Sequence, residues 1–174
     1  MEREALLICD MLNDFVRAGA PLEVREARKI IPAIRREIKR ARQAGDEIIY
    51  IVEHHAPDDR EFSRYGWPPH GVRYSEGAQI IEELRPEAQD RVIGKTTYSG
   101  FYGTKLDDTL KVLGINRIRL TGCVTHICIF FTAYEGTLLD YKVSVVADAV
   151  AGLSREDHDA ALRMMKNVLR VEIL

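Results

Sequence analysis

Two of the chain's three cysteines lie five positions apart in TGCVTHICIFFTA, residues 121–133. Cys128 follows an apolar run and a glycine-containing turn, near the first turn of a helical segment. Unpaired N–H groups and the positive dipole end of a helix favour a thiolate there. A nearby lysine, Lys95 of KTTYSGF, would lower the thiol pKa further. A carboxylate, Asp10 of DMLNDF, could take the thiol proton and later deliver it to a leaving group. That set would attack a carbonyl carbon. Free cysteine is also among the most buried residue types, and Cys9 and Cys123, at strand ends with apolar neighbours, fit that role. For Cys128 both roles stay open.

A second group could hold a cation. Glu53 and His55 project to the same side of an extended segment, and His70 arrives from WPPHG. Two imidazoles and a carboxylate suit Zn2+, Fe2+ or Mn2+ and leave places for water or substrate. His54 should point away. The bland alternative is that histidines and acids in a polar loop are solvated. Phe15, Trp67, Tyr98 and Phe101 all lie in connections beyond strand ends. They are either core or the walls of a site for a flat apolar ligand.

These residues need elements to position them. ALLIC (5–9), EIIYIV (47–52), DRVI (90–93), RIRL (117–120), KVSVVA (142–147) and RVEIL (170–174) read as strands. Several are near-continuous apolar runs, as expected when both faces of a parallel sheet are covered. Ile30, Ile31, Ile34, Ile38 and Ala41 fall at helical spacing, with Pro32 in the first turn and Gly45 as the stop. Thr104 to Asp107 and Ser154 to Asp157 look like start boxes for helices. Residues 125–139 read as a further helix and 77–84 as a short one. The stretch 54–77 breaks the rhythm; so long a loop is usually functional or disordered, and its aromatics argue against disorder. Repeated β-then-α units imply a doubly wound parallel sheet with right-handed crossovers. Ligands bind beyond the carboxyl ends of such strands, near the switch in strand order. Asp10, Glu53 with His55, Lys95 and Cys128 follow four successive strands and so share one rim.

Composition bounds the function. At 174 residues the chain is most simply one domain with a real core. A net charge of −2 points away from nucleic acid and anionic membrane. No apolar run reaches a membrane span, and MEREALLICD lacks the layout of a secretion signal. Three cysteines without framework spacing suit a reducing cytoplasm.

DMLNDF, EHH, WPPHGVRYSEGA, KTTYSGF and TGCVTHICIFFTA together resemble the isochorismatase-like cysteine hydrolases, and within them the nicotinamidases. The resemblance runs nearly end to end and implies one hydrolase domain over 1–174. The expected fold is a three-layer α/β/α sandwich with six parallel strands in the order 3-2-1-4-5-6. It implies a catalytic set of Asp10, Lys95 and Cys128, and a cis peptide between Cys123 and Val124. The N–H groups of Val124 and Cys128 would form an oxyanion hole. Glu53, His55 and His70 would bind a divalent metal, zinc foremost, that meets a pyridine nitrogen. Phe15, Trp67 and Tyr98 would contact the substrate. The implied reaction is hydrolysis of a small planar carboxamide, nicotinamide before others, through a thioester. The alternatives are an amidase for carbamoyl or ureido compounds, or a non-catalytic binding relative. The resemblance also implies a homo-oligomer, a dimer or tetramer. Two departures stand out: Glu53 replaces the usual Asp, and His126 stands where an Asp, Asn or Glu is common.

Overall fold

The computed structural model describes residues 2–174. Six strands form one parallel sheet: β1 (Glu4–Cys9), β2 (Glu47–Glu53), β3 (Arg91–Lys95), β4 (Arg117–Cys123), β5 (Lys142–Ala151) and β6 (Glu172–Ile173). Their order is β3-β2-β1-β4-β5-β6, as expected. The helices are α1 (Asn13–Val16), α2 (Ala27–Ala44), α3 (Arg60–Tyr65), α4 (Leu106–Val112), α5 (Phe130–Leu138) and α6 (Arg155–Asn167).

The apolar runs are continuous because both sheet faces are covered. In β1, Leu6 and Ile8 join a core with Ile30 and Ile34 of α2, while Ala5, Leu7 and Cys9 join a second core with Leu106 and Leu110 of α4 and Met165 of α6. Three layers result. Gly45 ends α2 at φ 73°, its N–H donating to the carbonyls of Ala41 and Arg42, a left-handed cap that glycine adopts without steric cost. Ser154 caps α6 by accepting from the Asp157 N–H.

Several expectations need correction. Helix α2 starts at Ala27, so Pro32 lies in its second turn, on the exposed side. Thr104 caps α4 locally: its hydroxyl accepts from the Leu106 N–H and donates to the Gly100 carbonyl. The Asp107 carboxylate is held instead by Lys111 and Tyr141. Residues 77–84 form no α-helix. Their backbone is spent on the β1–α1 connection, through Asn13 N–H to Gln79 O, Ile81 N–H to Met11 O and a Leu12–Ile80 bridge. Only Glu82–Leu84 make a 3-10 turn. Residues 125–139 divide into a π-turn, Thr125–Ile129, and then α5. The stretch 54–77 contains α3 and a His55–Val72 bridge. β5 runs to Ala151, past the expected end, and the last strand pairs over two residues. Among the described residues no helix is long and apolar enough to cross a membrane.

Candidate active site

The order of strands switches at β1, which lies between β2 and β4. The chain there is unusually close: a Cβ on Gly122 (φ 106°) would sit 2.1 Å from the Cys9 carbonyl oxygen. Glycine is therefore required at the end of β4. One residue beyond β1, Asp10 holds φ 50°, in the left-handed region that non-glycine residues rarely occupy. Its own N–H donates to the Ile51 carbonyl, and its Oδ1 accepts from the Glu53 N–H at 3.0 Å. Both bonds aim the carboxyl across the carboxyl ends of β1 and β2.

Lys95, at the end of β3, reaches the same point. Its Nζ lies 3.0 Å from Asp10 Oδ2, 3.0 Å from Glu53 Oε1 and 3.6 Å from Cys128 Sγ. Ligand atoms of Asp10, Glu53 and Cys128 all lie within 4.8 Å of one another. All four residues are buried. The Cys123–Val124 peptide, in the turn that leads to Cys128, is cis.

Burial decides the charges. It raises Asp10 to about 6, with Lys95 opposing part of the rise. Burial would by itself lower Lys95, but Asp10, Cys128 and Glu53 overcome it and hold the ammonium charged. The Cys128 thiol is pushed well up by burial, more than Lys95 pulls it down. That direction runs against the expectation of a resting thiolate. Lys95 is already engaged by two carboxylates, and the helix entry is a buried π-turn. The balance favours a protonated Cys128 thiol beside a carboxyl raised to about 6.

Glu53 has two faces. Its Oε2 lies 2.8 Å from His70 Nε2 and 3.5 Å from His55 Nε2. His70 Nδ1 contacts the Pro68 carbonyl at 2.7 Å. A carbonyl only accepts, so Nδ1 carries the hydrogen. His55 Nδ1 faces Asp59 Oδ2 at 3.1 Å, which sets the same tautomer. Each neutral ring then presents a bare Nε2 lone pair to the Glu53 carboxylate. Acceptors facing one another in a buried site need a cation between them, and Glu53 Oε2 and His55 Nε2 have no hydrogen-bond partner among the described residues. The donor atoms of Glu53, His55 and His70 lie within 4.8 Å of one another. The set fits a divalent metal, with outer acceptors orienting both rings as in known metal sites. Burial would lower both imidazoles, but Glu53 outweighs it and raises them, so a proton is the competitor for the place.

Asp59 and Glu61 escaped the sequence reading. Both belong to the start of α3, within what looked like loop. Asp59 caps the helix at Glu61 N–H while holding His55. Glu61 is buried, with Oε1 unpaired. An acid-x-acid pair shortly after His55 was the available signal. Replacing Asp59 with alanine is expected to weaken metal binding about 10–100-fold, the usual cost of losing an outer partner. Competition with a chromogenic chelator would measure it, and unchanged affinity would show that the Asp59 contact does not matter.

Phe15, Trp67 and Tyr98 line a pocket over Cys128, together with Leu22, Glu53, His70, Val124, Ile127 and Leu153. Trp67 Nε1 donates to the Tyr98 hydroxyl at 3.1 Å, and Phe15 sets its edge against His70. Phe101 is not a wall: it is core, stacked on Tyr141. His126 also lies outside the lining and packs near Gly152. His54 faces Gly94, away from the site.

The isochorismatase domain model matches residues 4–172. The chain is 34% identical to a probable inactive nicotinamidase of Arabidopsis thaliana over 94% of this chain and 88% of the relative. A pyrazinamidase of Pyrococcus horikoshii, solved in complex with zinc, superposes with a TM-score of 0.92 at 31% identity, covering 99% of this chain and 98% of the other. An N-carbamoylsarcosine amidase of Thermoplasma acidophilum gives 0.89 at 34% identity, over 98% and 95%. By its domain match and these likenesses, the chain belongs to the isochorismatase family of hydrolases.

Proposed function

We propose that the protein is a cysteine amidohydrolase that converts a small planar carboxamide, nicotinamide first, to the acid and ammonia. The observation that carries this reading is one carboxyl, one ammonium and one thiol converging under an aromatic-walled pocket. Asp10 accepts the Cys128 proton as sulfur attacks the amide carbon. The carbonyl electrons move to oxygen, which the N–H groups of Val124 and Cys128 receive. Asp10 returns the proton to nitrogen, the C–N bond breaks, and ammonia leaves a thioester. Asp10 then takes a proton from water, whose oxygen attacks the thioester. The C–S bond breaks, the acid departs, and Asp10 returns the proton to sulfur. Lys95 remains an ammonium throughout, balancing the negative charge that passes between Asp10 and sulfur.

Glu53, His55 and His70 would hold a divalent cation, Zn2+ foremost, with Fe2+ or Mn2+ as the other fits. Bound there, it would supply a Lewis-acid contact for a ring nitrogen. The extra methylene of Glu53 lets one carboxylate serve both Lys95 and the imidazoles. The unpaired, buried cysteines fit a reducing compartment such as the cytoplasm.

The test is ammonia release from nicotinamide, pyrazinamide, N-carbamoyl and ureido compounds, with metal content measured on the same protein. The reading expects the pyridine amide to lead, about one metal per chain, and activity lost to a chelator and restored by Zn2+. A ureido or carbamoyl compound leading, with chelation harmless, would shift the assignment to that second class, to which the likeness to the carbamoylsarcosine amidase points. No turnover of any amide would leave a binding protein.

A further inference from the structure

The pocket over Cys128 encloses about 30 Å3. That is room for two or three water molecules, at roughly 10–15 Å3 of such space each. Small-molecule sites are about tenfold larger, so any amide that reaches the sulfur must displace a wall. Phe15, Glu53, His70 and Val124 are buried; Leu22, Trp67, Tyr98 and Ile127 are half-buried. Leu153 differs: it is 46% exposed. It also lines a second, open groove of about 680 Å3, between α2, the end of β5 and the start of α6. One side chain therefore lies on the boundary shared by the small pocket and the wide groove beside it. The link that carries it is short. Gly152, where a Cβ would come within 2.9 Å of His158 Cβ, presses the chain onto α6, and Ser154 already caps that helix.

We propose that Leu153 is the specificity-determining residue that limits the size of amide reaching Cys128, with the groove behind it as the subsite a longer substituent would enter. The groove suits an uncharged or zwitterionic extension, because its rim mixes Arg25, Lys29 and Arg155 with Glu26, Asp148 and Asp159. This rests on the amidohydrolase reading for its substrates but not for its geometry.

Two ratios test it in Leu153→Ala and Leu153→Trp. The first is kcat/KM for an amide with a four-carbon chain over kcat/KM for nicotinamide. The second is the alkylation rate of Cys128 by N-phenylmaleimide over that by iodoacetamide, read by mass spectrometry of the Cys128 peptide. The alanine variant should raise both ratios by about 10-fold or more, the discrimination a few methylenes give in an apolar pocket, and the tryptophan variant should lower them. Leu138→Ala, exposed on α5 and outside both cavities, should move neither. Thermal melts show whether each variant is folded; exposed Leu153 leaves little packing to lose. Ratios unmoved in a folded Leu153→Ala protein would overturn the proposal, whatever its turnover. If the wild type cleaves no amide while the alkylation ratio shifts, the size limit stands and the amidase assignment falls.

Discussion

Replacing Cys128 by alanine is expected to lower ammonia release by at least about 10^3-fold, as removal of a covalent nucleophile does elsewhere. The sulfur, the proposed nucleophile, lies beside both Asp10 and Lys95. Asp10 left alone could orient a water, but that water would attack an unactivated amide without the thioester that divides the barrier. The side chain is buried and small, so its loss costs on the order of 1 kcal/mol of stability. Melting and substrate binding should therefore survive while turnover does not. Acid-quenched wild type should carry the acyl mass on the Cys128 peptide, and the variant none. Release that persists in the alanine variant would place the nucleophile elsewhere and end the covalent scheme.

Lys95→Met carries the largest expected effect on the fold. The ammonium, fully buried, lies 3.0 Å from each of two buried carboxylates. Methionine fills the space but removes the ammonium that lies between the Asp10 and Glu53 carboxylates. Breaking a buried pair in this way costs about 3–5 kcal/mol, a fall in Tm on the order of 10 °C for a chain this size. Adding Asp10→Asn removes one of the two orphaned charges and should recover part of that loss. It should not recover turnover, because the proton carrier has gone as well. Calorimetry of the single and double variants separates the terms. A Lys95→Met protein that melts with the wild type would mean the carboxylates are not both charged, and the electrostatic description of the site would fail.

Much of the architecture was legible because it follows from burial. Leu6, Leu7 and Ile8 read as a strand covered on both faces because successive side chains must alternate between two cores, and they do. Gly45 and Ser154 work by local backbone chemistry, so the sequence shows them directly. What failed was decided by distant partners. Residues 77–84 have a helical pattern, yet their backbone groups pair with Asn13 and Met11, 66 and 70 positions away. Phe101 could have been core or wall from its place after a strand end, and its stacking on the distant Tyr141 decides for the core. The rim of Asp10, Glu53, Lys95 and Cys128 was visible as a series of strand ends. The charge state of Cys128 was not, since it depends on how completely Lys95 is occupied by carboxylates from two other strands.

Of the groups proposed to handle protons and electrons, Asp10 and Lys95 sit at strand ends and Cys128 in the turn that follows β4, where Gly122 and the left-handed Asp10 leave almost no freedom. The surfaces that would touch the rest of a guest molecule, Phe15, Trp67, Tyr98 and Leu153, hang on the intervening connections. Lineages could thus retool which compound is admitted by rewriting loops, while the reactive machinery beneath them stays as it is. A scaffold divided in this way is suited to acquiring new diets without reinventing its teeth.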